Sequence, residues 1–288
     1  MERYEIAVIG TGPAGLSAAV TAALRHKKLL LLGPKDLSPK LYRAEKIDNY
    51  LGLPGISGAD LARRMSEHVL SLGVGITEDR IATVYAMGDY FALQGREMYE
   101  AATVILAGGV VQGKPIPGEE ALLGQGVSYC ATCDAALYRG KNTIVIGYSP
   151  REESEADFLA EVARQVLYIP MYTDPVHVSP AVTVLNEHPQ EIRGGLRKRV
   201  LVTREGEHET DGVFILRDAV SAGQLVPGLE TDGPHVRVDL SMATNLPGLF
   251  ACGDLAGKPY QYIKAAGQGN IAALSAVGYL ADRKAAGK

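Results

Sequence analysis

The stretch YEIAVIGTGPAGLSAAVTAALRH, residues 4–26, decides the fold of this chain. It begins with a short apolar run typical of a buried strand that ends in glycine, and it continues as an Ala-rich run typical of a helix. A second apolar run, KKLLLLG, follows at residues 27–33 and predicts the next strand. Strand, helix and strand in this order predict a βαβ unit, which opens a doubly wound α/β domain.

Three glycines, Gly10, Gly12 and Gly15, lie between the first strand and the helix in the spacing G-x-G-x-x-G. In dinucleotide-binding proteins they allow a tight turn, a close approach to the pyrophosphate and close packing of helix on strand, and the phosphates lie at the helix N-terminus. The alternative is a Gly-rich turn without a nucleotide. After the second strand, Gly33 occupies the position where an acid often binds ribose, and Asp36 follows. The loop alone therefore does not distinguish FAD from NAD.

A second βαβ unit is predicted farther along the chain. It begins with the strand NTIVIG, residues 142–147, continues through a helix at roughly 151–164, and returns in the strand QVLYIPMY, residues 165–172. Further strands are expected at TVILAGG, residues 103–109, and GVFILRD, residues 212–218, and the chain ends in an amphipathic helix. Pro/Gly-rich crossings join the two units. The predicted fold is α/β, with two doubly wound, Rossmann-like three-layer domains.

Composition excludes several function classes. The chain has 288 residues, 47% of them hydrophobic and 22% charged, and this length suggests two domains. A net charge of −4 gives no reason to expect a nucleic-acid partner. The apolar runs are too short to span a bilayer, and the N-terminal strand leaves no room for a signal peptide. We therefore expect a cytoplasmic protein without a membrane or nucleic-acid partner.

A pair of cysteines, Cys130 and Cys133, lies in GVSYCATCDAALYRG, residues 126–140. Zinc needs about four ligands, Cys252 is far away, and no histidine has a suitable spacing, so no metal is expected. A buried inert pair is a second interpretation. A redox pair is favoured, because two intervening residues allow a small disulfide ring and a helix start activates a thiolate. Asp134 is then suited to exchange protons, or alternatively caps the helix. Cys252 is expected to be a small buried hydrophobic residue.

Three segments together resemble the low-molecular-weight, FAD-containing thioredoxin reductases. They are VIGTGPAGLSAAV (8–20), GVSYCATCDAALYRGK (126–141) and NLPGLFACGDLAGKPYQYIKAAGQGNIAAL (245–274). The resemblance extends over nearly the whole chain and implies a fold of the FAD/NAD(P)-linked disulfide reductase type. It implies a split FAD-binding domain at 1–112 and 246–288, a redox-active domain at 113–245, and a homodimer.

The resemblance also implies roles for individual residues. The residues that would hold the FAD pyrophosphate are Gly10, Gly12, Pro13, Ala14 and Gly15. The residues that would contact the rest of the FAD are Lys40, Asn49, Gly253, Asp254 and Gln261, although the family's Arg before this Gln is missing here. Cys133, followed by Asp134, would face the flavin, and Cys130 would attack the disulfide of thioredoxin.

The second glycine loop departs from this resemblance. NADPH-dependent relatives carry a second G-x-G-x-x-G/A, but this chain has GYSPRE, in which Ser149 replaces the middle glycine and Glu152 the last small residue. Acidic residues there oppose a phosphate at the helix N-terminus, or alternatively form a solvated face of the helix. The family's H-R-R segment, which binds the 2′-phosphate, aligns with Pro170, Met171 and Tyr172. The later strand ends in VFILRDAV in place of the usual I-G-x-x-P-N pattern. These changes predict that NADPH does not bind.

The pattern is similar to the ferredoxin-dependent flavin thioredoxin reductases of anaerobes. This resemblance implies that ferredoxin delivers electrons through FAD and the cysteine pair to thioredoxin. Three alternatives remain open: an FAD-dependent dithiol oxidase that uses oxygen, an NADPH-dependent thioredoxin reductase with a divergent site, and a non-catalytic flavin redox sensor. Because ferredoxins are usually acidic, a basic docking patch is expected. The densest basic group is Lys35, Lys40, Arg43 and Lys46, which is alternatively a solvated loop.

Overall fold

The computed structural model describes residues 3–35, 39–42, 44–110, 115–119, 121–194, 198–217 and 221–287; the side chains of Pro39, Lys40 and Cys133 lie outside this description. The chain forms two compact units. We call residues 1–110 and 221–288 the split unit and residues 111–220 the inserted unit.

The elements follow in chain order. The first segment of the split unit contains β1 (Tyr4–Ile9), α1 (Pro13–Leu24), β2 (Leu29–Leu32), α2 (Pro39–Tyr42), α3 (Gly58–Ser71), β3 (Ile76–Thr77), β4 (Thr83–Ala86), β5 (Phe91–Gln94) and β6 (Met98–Leu106). The inserted unit contains β7 (Val127–Ser128), α4 (Ala131–Asp134), β8 (Asn142–Gly147), α5 (Glu153–Ala160), β9 (Gln165–Pro170), β10 (Val182–Val184), β11 (Pro189–Gly194), β12 (Arg199–Thr203), β13 (Glu207–Thr210) and β14 (Gly212–Leu216). The last segment of the split unit contains α6 (Ala222–Leu225), β15 (Thr231–Asp232), β16 (His235–Val236), β17 (Leu249–Ala251) and α7 (Tyr262–Ala285).

The sheet of the split unit is built around β1 and β6. Strands β3, β2, β1 and β6 lie side by side and are parallel, and β17 pairs in parallel with the second half of β6. The first half of β6 continues into an antiparallel ribbon with β5 and β4. Buried side chains of β1, β2 and β6 form one core with the small residues of α1 and α7. This arrangement brings the ends of β1, β6 and β17, which are far apart in sequence, to one edge of the sheet.

The inserted unit has a five-stranded parallel sheet in the order β10-β9-β8-β14-β7. A separate antiparallel sheet is formed by β11, β12 and β13. Chain order reverses on either side of β8, because β9 follows on one side and β14 on the other. In such sheets a ligand binds beyond the carboxyl ends of the strands at this reversal.

The predicted α/β class and the opening βαβ unit are confirmed. The helix predicted at 151–164 is shorter: a 3₁₀ turn at Pro150–Glu152 precedes α5, which ends at Ala160. The following turn bonds to the start of β8 instead, since the Gly140 N–H donates to the Val162 carbonyl and the Arg164 N–H donates to the Lys141 carbonyl. In the described part of the chain no helix is both long and apolar enough to cross a membrane.

Residues 221–245 belong to the split unit, whereas the sequence placed the second domain boundary at 245. Val238 and Met242 pack into the core that α1 and α7 share, and Ala243 pairs with Phe250 across an isolated antiparallel bridge. These contacts tie the segment to the strand that follows it. The assignment of a flavin-binding and a redox role to the two domains stays a prediction.

Candidate active site

The glycine loop between β1 and α1 gives its three glycines different surroundings. Gly10 has a φ of +119°, and a Cβ there would collide with the carbonyl of Ala107. A Cβ at Gly15 would collide with the carbonyl of Gly10, so α1 packs tightly on β1. At Gly12, in contrast, no described atom lies within 4 Å of the place a Cβ would take. The loop is thus tightly packed at its ends and open in its middle, the shape that a pyrophosphate needs.

The N-terminus of α1 faces the same loop. Gly12 is its N-cap and Pro13 its first residue. All of α1 lies within the described residues, and its first turn carries no acidic side chain. The backbone N–H groups of this turn therefore have no competing anion from their own helix, and the helix dipole favours a phosphate. The loop fits the diphosphate of FAD.

A turn after β17 lies beside this loop. Gly253 has a φ of +75°, and a Cβ there would come within 2.9 Å of the Ala14 Cβ. The Gly253 N–H donates to the Gln268 Oε1 at 3.0 Å, and Asp254, the next residue, is half-buried. Because β17 pairs with β6 and β6 pairs with β1, two motifs from opposite ends of the chain meet at one edge. We call residues 253–257 the G-D turn.

Asn49 and Gln261, both predicted to contact the flavin, are joined in the structure. The Asn49 Nδ2 donates to the Gln261 Oε1 at 2.5 Å, although 212 positions separate them. Both side chains are exposed, and Gln261 is the N-cap of α7. The predicted role of Lys40 falls on a side chain outside the described residues.

Lys264 is a site residue that sequence reasoning missed. It lies in the first turn of α7, where the helix dipole disfavours a positive charge. Its Nζ donates to the Gly253 carbonyl at 2.8 Å and also to the Gly257 carbonyl, at the two ends of the G-D turn. Burial lowers the pKa of the Lys264 ammonium, and the charge of Asp254 opposes this shift. The sequence KPYQYIKAAG shows that the family's Arg before Gln261 is missing and that a lysine follows. It does not show that this lysine contacts the Gly253 and Gly257 carbonyls.

The C-x-x-C segment begins the short helix α4 of the inserted unit. Cys130 directly precedes α4 and is disulfide-bonded. Its N–H donates to the Ser128 Oγ at 3.1 Å, and its carbonyl accepts the Asp134 N–H at 3.3 Å. Cys252 is free and completely buried, and burial raises the pKa of its thiol to about 12. The predicted role of Cys133 falls on a side chain outside the described residues.

The second glycine loop, between β8 and α5, is filled by side chains of its own unit. A Cβ at Gly147 would collide with the Tyr168 hydroxyl. That hydroxyl lies 3.0 Å from the Tyr172 hydroxyl, which in turn donates to the Glu153 Oε1 at 2.6 Å. Burial raises the pKa of Tyr168 to about 12, and burial together with the bond to Glu153 raises the pKa of Tyr172. Glu152 is buried as well. The helix N-terminus thus meets carboxylates at the place where a dinucleotide-binding sheet holds phosphate.

A buried ion pair occupies the same edge of the sheet. Arg217, directly after β14, binds Glu119 through two hydrogen bonds, one of them at 2.9 Å, and its guanidinium carbon lies 4.6 Å from the centre of the Tyr148 ring. Tyr148 directly follows β8. The Glu119 side chain is 1% exposed and also accepts the Ile116 N–H at 2.7 Å. Arg217 and Tyr148 therefore cover the ends of β8 and β14, where a doubly wound sheet binds its ligand.

One α/β unit with an open dinucleotide loop and another with a disulfide-bonded C-x-x-C segment are the features of a dinucleotide-dependent disulfide oxidoreductase. The model of the pyridine nucleotide-disulphide oxidoreductase family matches residues 4–176. A thioredoxin reductase of Aquifex aeolicus is 32% identical over 98% of this chain and 94% of its own length.

Two solved structures of ferredoxin-flavin thioredoxin reductases from Clostridium acetobutylicum are similar over almost the whole chain. One is 50% identical with a TM-score of 0.93 and covers 99% of both chains. The other is 47% identical with a TM-score of 0.90 and covers 98% of this chain and 99% of its own. The chain therefore belongs to the pyridine nucleotide-disulphide oxidoreductase family and, within it, to the thioredoxin reductases. The predicted family, fold type and FAD cofactor are confirmed.

Proposed function

We propose that this protein reduces thioredoxin with electrons from reduced ferredoxin, which pass through FAD and the Cys130–Cys133 disulfide. The inserted unit carries the evidence: it keeps the C-x-x-C segment but fills its nucleotide edge with the side chains of Tyr168, Arg217 and Glu119. The two Clostridium acetobutylicum relatives, which are ferredoxin-flavin enzymes by name, support the same donor.

The split unit binds FAD in this proposal. The open loop around Gly12 would hold the pyrophosphate, and the Asp254 carboxylate of the G-D turn would bind the ribityl chain. Bound FAD supplies the ability to accept single electrons and pass on a pair. Cys133 receives that pair, Asp134 exchanges the accompanying proton, and Cys130 attacks the disulfide of thioredoxin. Lys40, Asn49 and Gln261 complete the contacts to the flavin.

The energetics favour this direction of transfer. Plant-type ferredoxins have potentials of about −400 mV and thioredoxin about −270 mV. At about 1.4 kcal/mol per 30 mV for two electrons, the transfer is downhill by roughly 6 kcal/mol. No hydride donor is needed for it.

The basic group expected to dock ferredoxin is largely neutralised where it is described. Lys35 pairs with Glu78 and Lys46 pairs with Asp48, each at 2.9 Å, and all four side chains are exposed. The Arg43 side chain, like that of Lys40, lies outside the described residues. These two ion pairs do not favour the group as a docking surface.

From the resemblance alone, we also propose that the protein is a cytoplasmic homodimer. Light scattering after gel filtration measures the mass of the assembly and so tests the dimer.

An anaerobic spectroscopic experiment tests the proposed donor. The FAD-loaded protein is mixed in turn with NADPH, NADH and reduced ferredoxin while the flavin absorbance is recorded, and thioredoxin is then added. We expect ferredoxin alone to bleach the flavin, and thioredoxin to restore its colour. A C130S variant should bleach normally but leave thioredoxin oxidised.

Three other outcomes would reject the proposal. Fast bleaching by NADPH would indicate a nicotinamide-dependent enzyme with a divergent site. Peroxide released from oxygen with a dithiol substrate, without ferredoxin-driven turnover, would indicate a dithiol oxidase. A flavin that is reduced by ferredoxin but never reduces thioredoxin would indicate a redox sensor.

A further inference from the structure

A carboxylate of α5 binds the backbone inside the C-x-x-C segment. The N–H of Thr132, which lies between the two cysteines, donates to the Glu155 Oε2 at 3.2 Å. The Thr132 hydroxyl lies 3.2 Å and 3.1 Å from the two carboxylate oxygens of the same glutamate. Glu155 is half-buried in the first turn of α5, which packs against α4. Neither the established family nor the filled nucleotide edge requires this contact.

The position of Thr132 gives the contact a chemical consequence. Cys130 directly precedes α4, so Thr132 is the second residue of that helix. The side chain of a residue at the N-cap ordinarily accepts a hydrogen bond from the second or third N–H of the helix. A thiolate at such a position is stabilised by these donors and has a lowered pKa. Glu155 takes the second N–H for its own carboxylate and adds a negative charge close to the pair.

We propose that Glu155 is a positioning residue that keeps the midpoint potential of the cysteine pair low, an inference that rests on the proposed function. When the S–S bond breaks, two electrons from the reduced flavin and two protons produce the dithiol. The dithiol returns to the disulfide when it passes the same electrons and protons to the disulfide of thioredoxin. An anion on the Thr132 N–H disfavours the Cys130 thiolate, so the reduced form lacks the stabilisation that a thiolate would give it, and the dithiol is a stronger reductant.

This role separates a reductase from an oxidase on the same scaffold. The strongly oxidising protein DsbA owes its high potential to a stabilised reduced form, with a cysteine pKa of about 3.5. A protein that must reduce thioredoxin needs the opposite bias. Glu155 supplies that bias without contacting thioredoxin. A residue of the protein itself therefore favours electron flow from the dithiol to thioredoxin.

Two variants and one control test the proposal. E155Q keeps a hydrogen-bond acceptor but loses the charge, and E155A loses both. E161Q removes a charge from the exposed residue that caps the other end of the same helix. The FAD-loaded full chain is equilibrated in thiol–disulfide buffers of known potential, quenched with acid, and assayed for free thiols. The pKa of Cys130 is measured from the pH dependence of its alkylation.

We expect E155A to shift the dithiol–disulfide equilibrium towards the dithiol about tenfold, about 30 mV, and E155Q about threefold, about 15 mV. The Cys130 pKa should fall in the same order, and E161Q should match the wild type. A merely structural role would leave the thiol pKa unmoved. The proposal fails if E155A has a potential at or below that of the wild type, or if E155Q lies outside the interval between them. Neither ferredoxin nor thioredoxin takes part in this redox titration. Failure of the Glu155 proposal is therefore distinguishable from failure of the proposed function.

Discussion

The two glycine loops occupy equivalent positions in two related units, yet one is open and the other is filled. In the split unit, no described atom lies within 4 Å of a Cβ placed at Gly12, and α1 begins without an acid. In the inserted unit, Ser149 takes the position of Gly12, and Glu152 and Glu153 are buried at the helix start. The first glycine is tightly packed in both loops, against the Ala107 carbonyl at Gly10 and against the Tyr168 hydroxyl at Gly147. The strand–turn–helix framework is therefore present in both units, although the helix of the inserted unit begins with buried carboxylates.

The difference shows what closes a nucleotide site. Loss of glycines alone would leave a vacant edge that water and small anions enter. Here the edge is occupied by partnered groups: Tyr172 donates to Glu153, and Arg217 binds Glu119. A phosphate would have to displace these bonds and approach buried carboxylates, so the inserted unit is closed by electrostatics as well as by volume.

The largest effect is expected from breaking the buried ion pair. E119A removes the carboxylate and leaves the Arg217 guanidinium buried without this partner, which typically costs about 3–5 kcal/mol of unfolding free energy. Denaturant unfolding of the inserted unit, followed by the fluorescence of its tyrosines, measures the loss. The matched control is D48N, which breaks the exposed pair with Lys46 and should cost less than about 1 kcal/mol. Equal losses in the two variants would show that the edge is not held by its buried charges.

The second prediction concerns the open loop. G12V places a branched side chain in the space left for the pyrophosphate, and the backbone there, with φ −76° and ψ −178°, accepts any residue. We expect FAD affinity to fall about 100-fold, about 2.7 kcal/mol, with little change in folding. Titration of the apoprotein with FAD, followed by flavin fluorescence, measures it. S149V, at the equivalent position of the filled loop, should bind FAD like the wild type, and an unaffected G12V would contradict the assignment.

The features of the two loops that depend on residues close together in the sequence could be predicted from the sequence. The first loop follows from glycine spacing and hydrophobic periodicity within residues 4–33, and the loss of the second loop follows from Ser149 and Glu152. The contacts that fill the second loop were not predictable. Glu119 lies in a Pro/Gly-rich crossing that has the composition of a linker, and its partner Arg217 is 98 positions away. The acids at the start of α5 were interpreted as opposing phosphate or as a solvated face, although Glu152 and Glu153 are buried and a buried carboxylate needs a partner in the fold.

The third prediction weakens the tyrosine–glutamate chain in the filled loop. Y172F removes the hydroxyl that donates to Glu153 and leaves a buried carboxylate short of one bond, so a loss of about 1–3 kcal/mol is expected. NADPH should still fail to bleach the flavin, because Arg217 and Glu119 remain. Y42F, at an exposed tyrosine of the split unit, is the control and should change stability by less than about 0.5 kcal/mol.

Alkaline pH tests the hydrogen-bonded series Tyr168, Tyr172 and Glu153 without a mutation. Burial raises the pKa of Tyr168 from about 10 to about 12, so the folded state holds a proton that the unfolded state has lost within this window. The contribution of Tyr168 to stability is therefore fully present below pH 10 and is lost as the pH rises towards 12. Y168F should flatten this decline in urea unfolding curves recorded across the window. A decline of the same steepness in Y168F would contradict the role of this tyrosine.

The smallest effect is expected at Lys264, which supports the open loop indirectly. K264M keeps the length of the side chain but removes the ammonium that binds the Gly253 and Gly257 carbonyls. Those carbonyls then lose a charged donor, the G-D turn is less firmly held, and Asp254 is less well placed for the ribityl chain. We expect about fivefold weaker FAD binding, about 1 kcal/mol, because the site is only partly buried. Isothermal titration measures the affinity, and K258M, at an exposed lysine of the same segment, should leave it unchanged. Wild-type affinity in K264M would show that the turn holds its shape without the ammonium, for example through the bond between Gly253 and Gln268.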